Sequence, residues 1–160
     1  MYLSKSLILK INFIIILSFF VLTTVKADLI KPNNGIEPYQ VVKIQLRSLM
    51  NNDEPYQDIG IEQTWEFAHP NNQKYTGPLE KFKIMLKGEA YSMLLNHSDH
   101  EVLQVFLSED IATFEVTVLD TEKKYYKLKW QVEKYKKNGP LKNCWLTTAV
   151  SQPISLGSSI

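Results

Sequence analysis

The chain has 160 residues, of which 44% are hydrophobic, and a formal net charge of +1. This composition is typical of a globular protein, and it gives no overall electrostatic attraction for nucleic acid, so we expect no nucleic-acid partner. Cys144 is the single cysteine of the sequence, which excludes an internal disulfide.

Residues 1–27 have the pattern of a secretory signal peptide. Two early lysines precede an apolar run from Ile11 to Leu22, and Val25 and Ala27 are small residues suited to cleavage after Ala27. The alternative is an uncleaved N-terminal membrane anchor, although the run is shorter than the roughly 20 residues that span a bilayer. We therefore expect export to the periplasm, a lumen or the extracellular space, and membrane association only if the signal is uncleaved. Removing the three lysines of this segment takes the charge from +1 to −2.

Three segments after residue 37 have the apolar period of a helix. The first, 38–50, begins at Pro38, a residue tolerated in a first helical turn. The second follows Asp58, a residue type favoured as N-cap, and the third runs from Pro78 to Gly88. Residues 71–77 are predicted to form a loop. Residues 28–37 are predicted to be a flexible start of the mature chain, because they are polar and rich in turn residues.

After Gly88 the apolar period changes from about 3.6 to 2, which is typical of strands. The predicted strands cover 90–95, 101–109, 111–120, 121–137 and 144–151. Helices followed by strands indicate an α+β domain over 38–152, with three N-terminal helices packed on a curved antiparallel sheet. Residues 153–160 are predicted to be a polar tail.

Two histidine-containing motifs resemble metal sites, but neither is complete. Glu66 and His69 have the Glu-x-x-His spacing of di-iron bundles, which need a second copy and two further glutamates that this sequence does not offer. The segment 97–100 places two histidines around Asp99, whereas structural zinc sites take four protein ligands. We therefore predict no metal and no other cofactor, and we interpret the acids of 51–66 as residues that organise a helix start.

Lysines alternate with aromatic residues between Lys123 and Lys142, where eight lysines occur. Such a surface can bind an acidic partner, but lysines also keep the outer face of a strand soluble and protect it from edge pairing. The second interpretation is favoured.

Several short stretches resemble the uncharacterised domain-of-unknown-function family 4864. They are "VVKIQLRSLMNNDEPYQDIGIEQTWEFAHPNN", "TGPLEKF", "YSMLLNH" and "CWLTTAV". Within them, signature positions are Asn52, Asp53, Asp58, Gly60, Ile61, Phe67, Ala68, Gly77, Phe82, Tyr91, Leu95, His97 and Trp145. The family is similar to the nuclear-transport-factor-2-like, or cystatin-like, superfamily, which implies three helices packed into a bent antiparallel sheet. That superfamily contains enzymes and binding modules alike, so the resemblance leaves function open.

The inner strand positions are almost entirely apolar, which favours binding over acid–base catalysis. We expect an exported, noncatalytic module that binds an apolar small molecule or a protein partner, with a homodimer through the sheet as a further expectation. The residues expected to contact a ligand are Trp65, Phe82, Tyr91, His97, Phe114, Tyr126, Trp130 and Trp145. The residues expected to be structural are Asp53 in the loop between the first two helices, Asp58 as a helix cap and Gly60 at a close helix contact.

Two alternatives stay open. One is a small pocket enzyme of the isomerase or hydrolase type, with His97 as proton carrier and Tyr91 or Tyr126 as hydrogen-bond donor. The other is an assembly factor that docks an acidic partner through the lysine-rich hairpin.

Overall fold

The computed structural model describes residues 28–158; the predicted signal peptide, 1–27, lies outside this range. The described residues form four α-helices, one 3₁₀ turn and a five-stranded antiparallel sheet. The elements are α1 Pro38–Met50, α2 Ile59–Glu66, α3 Pro70–Thr76, α4 Leu79–Lys87, a 3₁₀ turn Ser92–Leu94, β1 Asp99–Leu107, β2 Ile111–Leu119, β3 Lys124–Lys134, β4 Trp145–Val150 and β5 Ile154–Ser158. The predicted α+β class is confirmed.

One of the four helices was not predicted. Residues 71–77 were predicted to form a loop, but α3 covers most of them. Its start is stabilised by His69, whose Nδ1 accepts a hydrogen bond from the Asn71 N–H at 3.1 Å. Pro70 ends the preceding helical pattern, and the same fixed φ makes it a favoured first residue of a new helix.

Two predictions about strands are wrong. Residues 90–95 form turns and the 3₁₀ helix, because the Leu94 and Leu95 amides bond to the nearby carbonyls of Tyr91 and Ser92. The fully buried residue of this stretch is Leu94, so its burial does not alternate as a strand requires. The segment 153–160, predicted as a polar tail, contains β5, which pairs with the first part of β3.

The strands lie in the order β1-β2-β3-β4, and β5 also pairs with β3. On β2 the predicted alternation is confirmed, since Ala112, Phe114, Val116 and Val118 are all fully buried. Residues directly opposite in an antiparallel pair share a face. His100 and Val102 of β1, which pair with Val118 and Val116, therefore belong to the inner, helix-facing side of the sheet.

Helix α1 packs on this inner face and contacts β1, β3 and β4. It buries Val41, Val42, Leu46 and Leu49, and the same core includes Phe114 and Trp130 of the sheet. Burial of apolar surface at about 25 cal/mol per Å² supplies most of the stability of such a layer. Among the apolar side chains of α1 stands one buried polar residue, Gln45.

Candidate ligand-binding cavity

A cavity of about 110 Å³ lies between the helices and the inner face of β3 and β4. Most of its lining surface is apolar, although six of the thirteen lining residues have polar side chains. The lining residues are Gln45, Thr64, Ala68, Asn72, Thr76, Phe82, Met85, Leu86, Tyr91, Leu94, Trp130, Thr147 and Val150. An apolar pocket with few polar groups is the general form of a small-molecule site.

The polar wall of the cavity is a buried cluster of Gln45, Trp130 and Thr147. The Trp130 Nε1–H donates to Gln45 Oε1 at 3.1 Å, and the Thr147 hydroxyl donates to the same oxygen at 2.6 Å. Because the indole N–H can only donate, these bonds fix the orientation of the Gln45 amide. The amide nitrogen donates one hydrogen to the Thr64 carbonyl at 3.0 Å. Its second hydrogen has no acceptor among residues 28–158, so it is available to a ligand beside it.

Near the mouth, polar side chains bond mainly to the backbone. Asn72 donates through Nδ2 to the Thr147 carbonyl at 3.4 Å, and the Thr76 hydroxyl donates to the Asn72 carbonyl at 2.9 Å. The Tyr91 hydroxyl is 3.5 Å from the Ser151 carbonyl, which is a long and weak hydrogen bond. Burial raises the pKa of Tyr91 above its ordinary value, so its hydroxyl stays a neutral donor.

The cavity brings together three of the eight residues predicted to contact a ligand, Phe82, Tyr91 and Trp130. The other five do not line it. Trp65 packs behind Phe82, with ring centres 5.0 Å apart, and Phe114 packs in the core against Tyr39. Trp145 lies under Lys134, whose Nζ is 5.1 Å from the centre of the indole ring. Tyr126 borders a different and more polar depression beside the 3₁₀ turn.

His97, the fifth, is bonded to its own surroundings and is only 2% exposed. Its Nδ1 lies 2.7 Å from the Leu94 carbonyl, so this nitrogen carries the proton. Its Nε2 lies 2.8 Å from Nδ1 of His100 and therefore accepts from that nitrogen. Burial lowers the pKa of His97 below its ordinary value, and burial with the nearby His97 and Lys43 lowers the pKa of His100 to about 4. Both rings are neutral near pH 7.

Two of the residues predicted to be structural, Asp53 and Asp58, belong to a polar corner, defined as Asn52, Asp53, Asp58 and Asn96. Asp53 accepts hydrogen bonds from the Asp58 N–H at 3.0 Å and from the Asn96 amide at 2.9 Å, and these bonds hold its pKa below the ordinary value. Asp53 thus ties the loop between α1 and α2 to the segment before β1.

Asp58 is the N-cap residue of α2, as predicted, but its side chain does not cap the helix. The backbone of Asp58 is left-handed at this position (φ 67°). Its carboxylate instead accepts from Lys87 Nζ at 2.7 Å, which links α2 to α4. The cap comes from Asn52, whose Oδ1 accepts from the Ile61 N–H at 3.1 Å.

Gly60 lies where α1 and α2 approach most closely. A Cβ at this position would be 2.1 Å from the carbonyl oxygen of Ser48 and 2.8 Å from Cα of Asn52. The neighbouring atoms belong to the backbone and cannot rotate away, so no larger residue fits without moving a helix.

Sequence reasoning missed Gln45, Asn72 and Thr76 as residues of the cavity. A signal for Gln45 was present, because it lies four residues from both Val41 and Leu49 and therefore on the buried face of α1. Asn72 and Thr76 gave no such signal, since their segment was taken for a loop.

Several of the lysines between Lys123 and Lys142 are paired within the protein. Lys124 contacts Glu122, Lys127 contacts Glu115, and Lys136 contacts Asp110. Among residues 28–158, no three His, Cys, Asp or Glu side chains lie close enough together to hold a metal ion. Within the same range, no helix combines the length and the apolar character needed to cross a bilayer.

These features define an α+β protein with an open antiparallel sheet and a small, mostly apolar cavity between its layers. A family profile described as domain of unknown function (DUF4864) matches residues 33–152. The chain therefore belongs to this family, as its signature residues implied. No curated protein and no solved structure matches the chain.

Proposed function

We propose that this protein is an exported, noncatalytic binding module that holds a small apolar ligand in the cavity between α1–α4 and the sheet. The observation that carries the proposal is the cavity itself, with apolar walls and one buried amide, Gln45, that has a hydrogen left to donate. An apolar pocket supplies most of the affinity, and a single oriented polar group supplies selectivity.

The cavity volume limits the ligand. An apolar cavity of about 150 Å³ accommodates benzene, so about 110 Å³ suits a short branched chain, or a single ring that fills the cavity and extends beyond its mouth. The free hydrogen of Gln45 favours a ligand that carries one acceptor oxygen next to its apolar part. A charged ligand is disfavoured, since no charged side chain is among the lining residues.

Two finer features belong to the same proposal. The fold is of the nuclear-transport-factor-2-like type; support comes from the antiparallel sheet with helices packed on one face. Export with cleavage after Ala27 is supported by the sequence of residues 1–27, which has the n-region, apolar core and small residues of a signal peptide.

The enzyme and assembly-factor alternatives gain no specific support. His97 is absent from the cavity lining, and both of its ring nitrogens are engaged within the protein. Three of the lysines that would meet an acidic partner already contact carboxylates. Both alternatives stay predictions.

The test is a ligand-binding experiment with a matched pair of variants. Phenol is the probe, because it combines one ring with one oxygen. Ala68→Leu fills the cavity from its lining, whereas Ala149→Leu makes the same chemical change at an exposed position of β4. Protein from the complete gene is purified gently, inspected by native mass spectrometry for a retained molecule, and titrated with phenol by calorimetry.

We expect phenol binding, or a retained molecule of similar size, in the wild type and in Ala149→Leu, and a loss of at least about tenfold in affinity in Ala68→Leu. Equal binding by all three proteins would place the ligand elsewhere and contradict the proposal. If the wild type binds no phenol and retains no molecule, the proposal of a small-molecule ligand is contradicted and a protein partner is favoured instead.

A further inference from the structure

Strand β1 is an edge strand. It pairs with β2 along almost its whole length, and the strand order places nothing on its other side within residues 28–158. Natural proteins protect such an edge with lysine or other charged side chains, with proline or with a bulge, because its unpaired N–H and C=O groups are open to another strand. The nine residues of β1, DHEVLQVFL, contain no lysine or proline, and their two carboxylates, Asp99 and Glu101, lie in the first part of the strand.

The second half of β1 and the start of β2 also expose apolar side chains, which we call the edge patch. Its residues are Leu103, Val105, Phe106, Leu107 and Ile111, each between 38% and 57% exposed. A bulge between Gln104 and Phe106 places members of the patch on both faces of the hairpin end.

With roughly 150–250 Å² for a fully exposed residue of this size, the edge patch offers on the order of 500 Å². Each partner in a standard interface contributes about 800 Å². The edge patch thus supplies more than half of that area, and backbone pairing of the two strand edges adds to it.

Two cations lie near the start of β1, and the turn at its end holds an acid that has no ion pair within residues 28–158. At its start, Lys43 and Arg47 of α1 lie near His100, and their charges act on that ring. Neither forms an ion pair with a carboxylate of residues 28–158. At its end, the turn to β2 holds Glu109, which is exposed and has no ion pair within the described chain.

Asp99 and Glu101 are also at the start of β1, but they belong to the outer face of the sheet. Their β2 partners, Leu119 and Thr117, alternate with the buried Val118 and Val116. The cations of α1 and these acids thus lie on opposite sides of the strand.

An antiparallel pairing of two identical strands places the start of each beside the end of the other. With Val105 at the centre of the pairing, the mostly apolar residues 103–107 of the two copies lie opposite one another, and the start of β1, beside Lys43 and Arg47, lies next to the turn that holds Glu109 of the second copy. Such an isologous contact is self-complementary and closed, so it satisfies both edges without forming a chain of copies. An unrelated partner would need this combination of apolar and charged groups by coincidence.

We propose that this protein forms a homodimer in which β1 pairs antiparallel with β1 of a second copy, burying the two edge patches across a two-fold axis. The contact gives the homodimer expected from the sequence a defined surface. It does not depend on a ligand in the cavity, since no lining residue of the cavity belongs to β1.

Sedimentation equilibrium of protein from the complete gene tests the proposal, at concentrations up to roughly 100 μM, where a dimer with a dissociation constant of about 10 μM would predominate. We expect a dimer for the wild type. Phe106→Asp should raise the dissociation constant by at least about 30-fold, since it removes a central aromatic side chain. The matched control is Ile84→Asp, which changes an apolar residue of α4 that is 73% exposed and should leave the dimer intact.

A charge exchange tests the pairing direction. Arg47→Glu should weaken the dimer by about tenfold, and adding Glu109→Lys to it should restore the wild-type constant. Hydrogen exchange should show slow amides in β1 of the wild type that become fast in Phe106→Asp. A wild type that is monomeric over the whole range would overturn the proposal, as would a dimer that persists unchanged in Phe106→Asp.

Discussion

The cavity wall and the polar corner each contain a buried amide on or next to α1, but the two amides are used differently. In the corner, every polar group of Asn52 takes part in a hydrogen bond. Its Oδ1 accepts from the Ile61 N–H, its Nδ2 donates to Asp53 at 2.9 Å, and its backbone groups bond to Asn96 and Gly60. In the wall, Gln45 bonds to three partners, and its second amide hydrogen has no acceptor among residues 28–158.

The difference separates a structural role from a binding role. A polar group that is fully bonded in a packed region holds two elements at one distance, and its loss leaves its partners unsatisfied. A polar group with remaining capacity beside an apolar cavity orients what enters it. The acidic residues between 51 and 66 therefore belong to the architecture, whereas the proposed binding would rest on one amide, in a helix whose sequence gives no sign of a special role.

The largest loss of stability should come from adding a side chain at Gly60, where α1 and α2 are in close contact. Gly60→Ala places a Cβ about 2.1 Å from the Ser48 carbonyl oxygen, so α1 and α2 must separate. We expect a loss of at least about 3 kcal/mol in the free energy of unfolding, measured by urea denaturation. At Gly88 the nearest atom is 3.3 Å away, so Gly88→Ala serves as the control with a change below about 1 kcal/mol. Equal losses for both variants would contradict the close contact.

The second largest loss of stability should come from removing the side-chain amide of Asn52 in the polar corner. Asn52→Ala leaves the Ile61 N–H and the Asp53 carboxylate each without one partner, and we expect a loss of about 2–3 kcal/mol. Asn51 is the adjacent control, since its exposed side chain only bonds to the Arg47 carbonyl at 3.0 Å. Asn51→Ala should cost less than about 1 kcal/mol in the same urea titration. If the two losses are similar, the corner is not the element that joins α1 to α2.

Much of the fold could be predicted from the sequence. The parts that could not be predicted have one physical cause in common. The bounds of α1 and the buried alternation of β2 were predictable because each buries one face along its whole length. Strand β5 has no buried face, as all five of its residues are exposed. It is fixed by backbone pairing with β3, which leaves no pattern in the side chains.

The candidate site was less predictable than the fold. Phe82, Tyr91 and Trp130 were chosen as large inward residues, but the same criterion also selected Phe114, which packs in the solid core. Periodicity indicates which residues are buried; it does not show where packing leaves a gap. The bond between His97 and His100 depends on the turn before β1, which was predicted only as a polar turn.

A third prediction removes the amide of the cavity wall. Gln45→Met keeps the length of the side chain but leaves the Trp130 N–H and the Thr147 hydroxyl without the oxygen that both use. Because these two groups still bond to each other at 3.2 Å, we expect a smaller loss than in the corner, about 1–2 kcal/mol.

A binding measurement on the same variant tests whether the amide faces the ligand, which the loss of stability does not test. Gln45→Met should lose its preference for phenol over benzene, which calorimetric titration with both probes would measure. An unchanged preference would show that the amide does not face the ligand.

The smallest loss of stability concerns the histidine pair, in which the His100 ring can still take up a proton. The pKa of His100 is lowered from 6.5 to about 4, first by burial and then by the charges of His97 and Lys43. The unfolded chain therefore binds a proton more readily, so the stability contributed by the neutral ring is complete above about pH 6.5 and is lost as the pH falls toward 4. His100→Gln keeps a donor toward His97 without titrating, and it should lessen the loss of stability between about pH 7 and pH 5 by about 1 kcal/mol. Thermal unfolding at both pH values measures this difference. An acid sensitivity equal to that of the wild type would assign the effect to other groups, with His69 the first to examine because burial also lowers its pKa.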